Sequence, residues 1–161
     1  MGKTWGVPAV ALVLVTVTAC GAVGSGGGPE CTAIGASTGI GVDLAPEVAA
    51  AITGGQMEVC WNGDCHTKEL TLSPSTKAGP TTCTNADVCS AQAVPTGGKH
   101  GFADLPGLPA AEVKVTVGFD GGPTRTVHLI PKMLFPNGPD CGGQGPQGQL
   151  ELVADGSVRV K

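Results

Sequence analysis

The stretch EVKVTVGF, residues 112 to 119, alternates without a break: Val113, Val115, Val117 and Phe119 stand against Glu112, Lys114, Thr116 and Gly118. Successive side chains of a strand point to opposite faces, so a period of two buries one face and wets the other. A helix would scatter the same residues around its circumference. The pattern recurs at Ile40, Val42 and Leu44 in GIGVDLA and at Met57, Val59 and Trp61 in QMEVCW. TRTVHLIP follows the first stretch across Asp120-Gly121-Gly122-Pro123, a turn composition, which predicts a hairpin. QLELVADGSVRVK predicts another about Asp155-Gly156. There, Leu150 and Leu152 share a face with Val158 and Val160 only across an odd loop, so a three-residue turn with a bulge is expected. Only PEVAAAI has the makings of a helical turn, with Pro46 at its start and Gly54 beyond its end.

Short strands separated by turn signals, with almost no helix, define the expected class: an all-β, immunoglobulin-like antiparallel β-sandwich. The stretch GFADLPGLPAAEVKVTVGF, residues 101–119, also resembles the prealbumin-like sandwiches of bacterial surface proteins. In those a Gly-Phe strand, a Leu-Pro corner and an alternating strand follow one another. Glu112 and Val113 stand where such domains carry Gly-x-Tyr, and the resemblance implies a fold and no activity.

The chain opens MGKTWGVPAVALVLVTVTAC, in which Lys3 precedes a charge-free apolar run from Trp5 to Ala19. As a helix that run would cover about 22 Å, short of the roughly 30 Å of a bilayer core. A basic start, a short apolar middle and small residues at the end read as a secretory signal. Val17-Thr18-Ala19-Cys20 resembles the lipobox of bacterial lipoproteins. That resemblance implies lipidation of Cys20, which would become the first residue of the mature chain. Three segments are therefore expected: a signal peptide at 1–19, a lipidated flexible tether at 20–30, and one sandwich domain at 31–161. The abundance of Gly, Ala, Val, Thr and Pro, with no Tyr, resembles exported proteins of high-GC actinobacteria. The formal charge of −4 becomes −5 once Lys3 is removed. No segment concentrates Lys or Arg, which argues against a nucleic-acid partner.

Of seven cysteines, Cys20 leaves six, an even set suited to three disulfides outside the cell. In VCWNGDC the Asn62-Gly63 pair suits a type I′ turn, so Trp61 should face Asp64 and Cys60 should face Cys65. Cys83 and Cys89 are close neighbours, which leaves Cys31 to pair with Cys141. Zinc is the competing use, with His66 beside Cys65. The spacings C-x4-C and C-x5-C are not those of paired zinc knuckles, so no metal is expected.

The catalytic-looking motifs lack their structural setting. GASTG, residues 35–39, matches a nucleophile elbow, yet no helix is expected after Ser37. GQGPQG, residues 143–148, matches a dinucleotide fingerprint, yet a strand follows it, so it is expected to be a loop. His66, His100 and His128 stand on or beside strands with no partner motif. Neither an enzyme nor a cofactor is expected. Trp61 has two readings: a core tryptophan near a disulfide, or an aromatic anchor at a hairpin tip. Loops at 73–87 and 136–148 are further binding candidates. The expected function is a lipid-anchored, non-catalytic module on the outer face of the cell membrane, contacting a surface protein or cell-wall component. A small exported hydrolase, an inhibitor or a wall-facing spacer are the alternatives.

Overall fold

The computed structural model describes residues 31–85, 88–120 and 122–161. The expected signal peptide at 1–19, with the proposed lipobox at Val17–Cys20, and the whole tether at 20–30 lie outside them. The described chain is nearly all β and forms two facing sheets. It runs β1 (Gly39–Leu44), a helical turn α1 (Pro46–Ala49), β2 (Gly54–Trp61), β3 (Asp64–Thr71), β4 (Ser73–Asn85) and β5 (Val88–Asp104). Then follow β6 (Val113–Phe119), β7 (Arg125–Leu129), β8 (Lys132–Leu134), a 3-10 turn at Pro139–Cys141, β9 (Gln144–Leu152) and β10 (Val158–Val160). One sheet has the order β10-β9-β1-β5-β4, with β8 also pairing to β9; the other is β3-β2-β6-β7.

The alternating residues meet between the sheets. Ile40, Val42, Leu150 and Leu152 from the first face Met57, Val59, Val113, Val115 and Val117 from the second. Among the described residues no charged or polar side chain is buried. A core this aliphatic leaves little room for an internal polar site, so any chemistry belongs to the faces, edges and ends.

The two turn expectations hold. Asn62 and Gly63 both have positive φ, 52° and 90°, and the register sets Trp61 opposite Asp64 and Cys60 opposite Cys65. At the C-terminus the Val153 N–H bonds to Ser157 O and the Gly156 N–H to Val153 O, with Gly156 at φ 76°. That closes a three-residue turn on a left-handed glycine and brings Leu152 opposite Val158. Disulfides join Cys31 to Cys141, Cys60 to Cys65 and Cys83 to Cys89, the scheme set out from the spacing.

Three expectations need correction. The sandwich is not wholly antiparallel: β1 and β9 run parallel. Parallel neighbours require a crossover, and the chain makes it by building the whole second sheet between them. Gly143–Gly148 is not a loop, because β9 begins at Gln144 and pairs with both β1 and β8. The segment 73–87 is not a loop either. Its residues to Asn85 form the 13-residue β4, paired to the 17-residue β5. Pro74, Pro80 and Pro95 read as breakers, but the ribbon accommodates them beside irregularities at Pro74/Thr76 and Ala78/Thr81.

Candidate functional site

The register gives the sandwich two distinct ends. β1 enters at Gly39, beside Asp104 of β5 and Gln147 of β9, and this end also carries Cys31–Cys141. Leu44 of β1, Lys99 of β5, Leu152 of β9 and α1 mark the other end. The second sheet follows suit: β2 begins near α1, where Lys99 Nζ donates to Ile52 O at 2.6 Å, and finishes at Trp61. The Asn62-Gly63 turn therefore lies at the end where the described chain enters.

From the opposite end β4 and β5 continue together beyond the sandwich. Asp43 and Leu44 pair with His100 and Lys99, but from Pro95 back to Val88 β5 pairs with β4 alone. Thr76 to Asn85 spans about 30 Å at the usual rise per residue. The two strands thus make an arm with no second layer behind it, and its described side chains are almost all exposed. Cys83–Cys89 ties it near its tip. At its root Thr96 Oγ1 donates to Ser75 O at 3.0 Å and the Gly98 N–H to Thr96 Oγ1 at 3.2 Å. Lys77 is the one charged residue among the described arm positions 76–85 and 88–97. The surface is otherwise hydroxyl, amide and small apolar, with Val88 and Val94 59% and 38% exposed.

A groove of about 470 Å³ lies at the root of the arm, lined in part by Asp43, Ser75, Thr96, Lys99, His100 and Glu151. Ser75 Oγ is 3.2 Å from His100 Nδ1, a pairing that sequence reasoning missed. Asp43 sits across the strand from His100, but its carboxylate accepts from Lys161 Nζ at 3.0 Å. That bond, then the charge of Asp43, holds the Lys161 amine above its ordinary pKa. Among the described residues no carboxylate bonds the His100 imidazole, so the orienting acid of a serine–histidine triad is not in place.

A second groove, about 610 Å³, crosses the outer face of the β3-β2-β6-β7 sheet and is lined in part by Gln56, Glu58, Glu69, Thr116 and Thr124. Gln56 pairs with Glu69 and Glu58 with Thr67, so the two glutamates are diagonal neighbours on one face, within reach of long side chains. Glu58 also approaches the sulfurs of Cys60 and Cys65, with ligand atoms all within 4.8 Å. Those sulfurs are joined to each other, and a disulfide supplies no thiolate to a metal.

Trp61 is half-buried: it packs against the core and stacks on His66, with centroids 4.2 Å apart and planes 23° from parallel. It makes a core contact and stands at a hairpin tip. His128 meets Glu112 at 3.6 Å on the open surface, a pair of little energetic weight. Among the described residues no helix is long and apolar enough to cross a membrane.

Fold and surface define a disulfide-stapled all-β sandwich bearing a two-stranded arm. A scan of protein-family models and searches of curated proteins and solved structures found nothing that matches this chain.

Proposed function

We propose that the protein is a lipid-anchored extracytoplasmic module, non-catalytic, that presents the β4–β5 arm to a macromolecular partner at the cell surface. The observation that carries this reading is polarity: the arm leaves the sandwich at the end opposite to where β1 enters. A lipid on Cys20 would hold the entry end near the membrane, because a ten-residue glycine-rich tether has an r.m.s. span of about 16 to 19 Å. The arm would then point outward, toward wall or surface proteins. Its near-neutral surface suits contact by backbone edges and hydroxyls, and little charge must be stripped of water on docking. Trp61, at the entry end, would face the membrane side of the domain.

The test is photo-crosslinking on live cells, with the probe at Thr82 on the arm or at Thr67 on the outer face of β3. The expected result is a discrete adduct from Thr82 and none from Thr67. Adducts from Thr67 alone would refute the arm as the contact element. Intact mass should show a chain beginning at a diacylglyceryl-modified Cys20, and Cys20→Ala should leave the membrane fraction. A second reading, an exported hydrolase, draws on Glu58 and Glu69, diagonal neighbours that both line the outer-face groove and would supply a pair of carboxylates. Turnover of a wall polysaccharide that is abolished in Glu58→Gln would establish it in place of the first.

A further inference from the structure

At the end of the sandwich that carries the arm, the two sheets part around a small cavity of about 200 Å³. Its walls are mostly apolar: Val48 of α1, Ile52 beyond it, Phe119 of β6, Pro123 and Leu152 of β9. Arg125, the first residue of β7, closes the mouth. Arg125 is half-buried as a residue, and its Nη1 donates to the carbonyls of Pro123 at 3.1 Å and Thr124 at 3.4 Å. Among the described residues no carboxylate forms an ion pair with it. Asp120 also lines the mouth, but its carboxylate is engaged: Oδ2 accepts from the Thr53 N–H at 3.0 Å, the Gly54 N–H at 2.6 Å and the Thr53 hydroxyl. Gly156 stands opposite, where a Cβ would come 3.9 Å from Nη2. The missing side chain leaves that nitrogen approachable.

We infer that this cavity binds a small aliphatic carboxylate, with its tail among Val48, Ile52, Phe119 and Leu152 and its head on the Arg125 fork. A planar guanidinium with unused N–H groups matches a carboxylate in shape and in charge. The volume lies below that of drug-sized sites, and at about 30 Å³ for a water-sized group it admits roughly six or seven such groups. A chain of five or six carbons fits, and a long acyl chain does not. The carboxylate has two possible sources: a free short-chain acid, or the apolar C-terminal residue of a peptide. The site does not depend on the arm being a contact element, and either assignment can fail alone.

Saturation-transfer NMR tests it on the full-length chain in phospholipid nanodiscs, with empty discs as the blank. Hexanoate stands for the free acid and N-acetylleucine for a peptide terminus; hexanol and hexylamine are the controls. The expected result is saturation of one carboxylate above the blank, which also identifies the source, with the controls at background. Arg125→Gln should weaken that binding about tenfold or more, the scale of a lost charged hydrogen bond. Val48→Phe, which fills the cavity without adding charge, should abolish it, and thermal melts confirm that each variant is folded. Either carboxylate matched by hexanol or hexylamine, both carboxylates at background, or binding retained in folded Val48→Phe would each overturn the inference.

Discussion

Breaking the Cys31–Cys141 bond with Cys31→Ala/Cys141→Ala should cost more than breaking either of the other two disulfides. The bond spans a sequence separation of 110, against 5 for Cys60–Cys65. In the chain-entropy account a cross-link restricts the unfolded ensemble more as the loop it closes grows. The two loops give about 4.8 and about 2 kcal/mol at 25 °C. The folded state gives little back. Residues 31–38, which the bond straps down, have no regular structure, but Asn137 Nδ2 donates to Ile34 O at 2.9 Å and the Ala36 N–H to Gln144 Oε1 at 3.2 Å. These bonds keep the segment in place when the sulfurs are gone. Urea unfolding of the parent and of both double variants measures the difference. The long-loop variant should lose roughly 2.5 to 3 kcal/mol more than Cys60→Ala/Cys65→Ala, and its m-value should rise as the unfolded chain expands. A loss no larger than that of the short-loop variant would refute the reasoning. It would show either that the segment detaches from the folded body or that the unfolded chain is already compact.

Two further outcomes follow from local geometry. Asp120 has its pKa lowered from 3.8, first by the Thr53 hydroxyl and then by the Thr53 backbone N–H. A carboxyl with a depressed folded-state pKa stabilises above its unfolded value and loses that contribution as pH falls through the folded value. Urea midpoints of Asp120→Asn should therefore fall less steeply than the parent's below about pH 4, the range where an unfolded aspartate takes up its proton; parallel curves would discount this carboxyl. Trp61 is the sole tryptophan after residue 19, and His66 stacks on it. His66→Leu should shift the Trp61 emission spectrum, because the ring lying over one indole face is replaced by an aliphatic side chain; an unchanged spectrum would discount the stack.

Much of the body was legible because its signals are local. Asn62-Gly63 between Trp61 and Asp64 names both a turn and a register, and the register places Cys60 beside Cys65. The spacing of Leu150, Leu152, Val158 and Val160 dictates an odd turn whatever lies across the core. What was not legible depends on partners far along the chain. Nothing near Gly39–Leu44 says that its neighbour will be Gln147–Leu152, or that the two will run parallel. Ser75 and His100 are 25 residues apart and meet only because the ribbon pairs. The arm was missed for a related reason: Pro74, Gly79, Pro80 and Pro95 argue locally for a loop, and few apolar residues alternate there because there is no core to face. An arm without a second layer leaves no hydrophobic trace. The cavity behind Arg125 draws on α1, β6, β7 and β9, so no single window of sequence contains it.

The arm poses a stability problem whose solution bears on its use. Two strands without a packed face are marginal in water, and exposed edges invite pairing with other chains. Here both ends of the ribbon are pinned. At the root Pro74 and Ser73 pair with Lys99 and His100, which are themselves held by β1. Near the tip Cys83 is bonded to Cys89. Between two fixed points the strands cannot slide by one residue without breaking the ladder, so register is secured without a core. The edges are blunted as well: Pro74, Pro80 and Pro95 remove backbone donors, and the bulged steps interrupt the flat ladder that a foreign strand would copy. Such an arm resists indiscriminate strand addition while keeping one fixed set of outward side chains. A partner that reads those side chains meets a surface already ordered, and little conformational entropy remains to be lost on contact. On the proposed reading, pinning of this kind favours recognition, because a shape formed in advance loses little freedom when a partner docks.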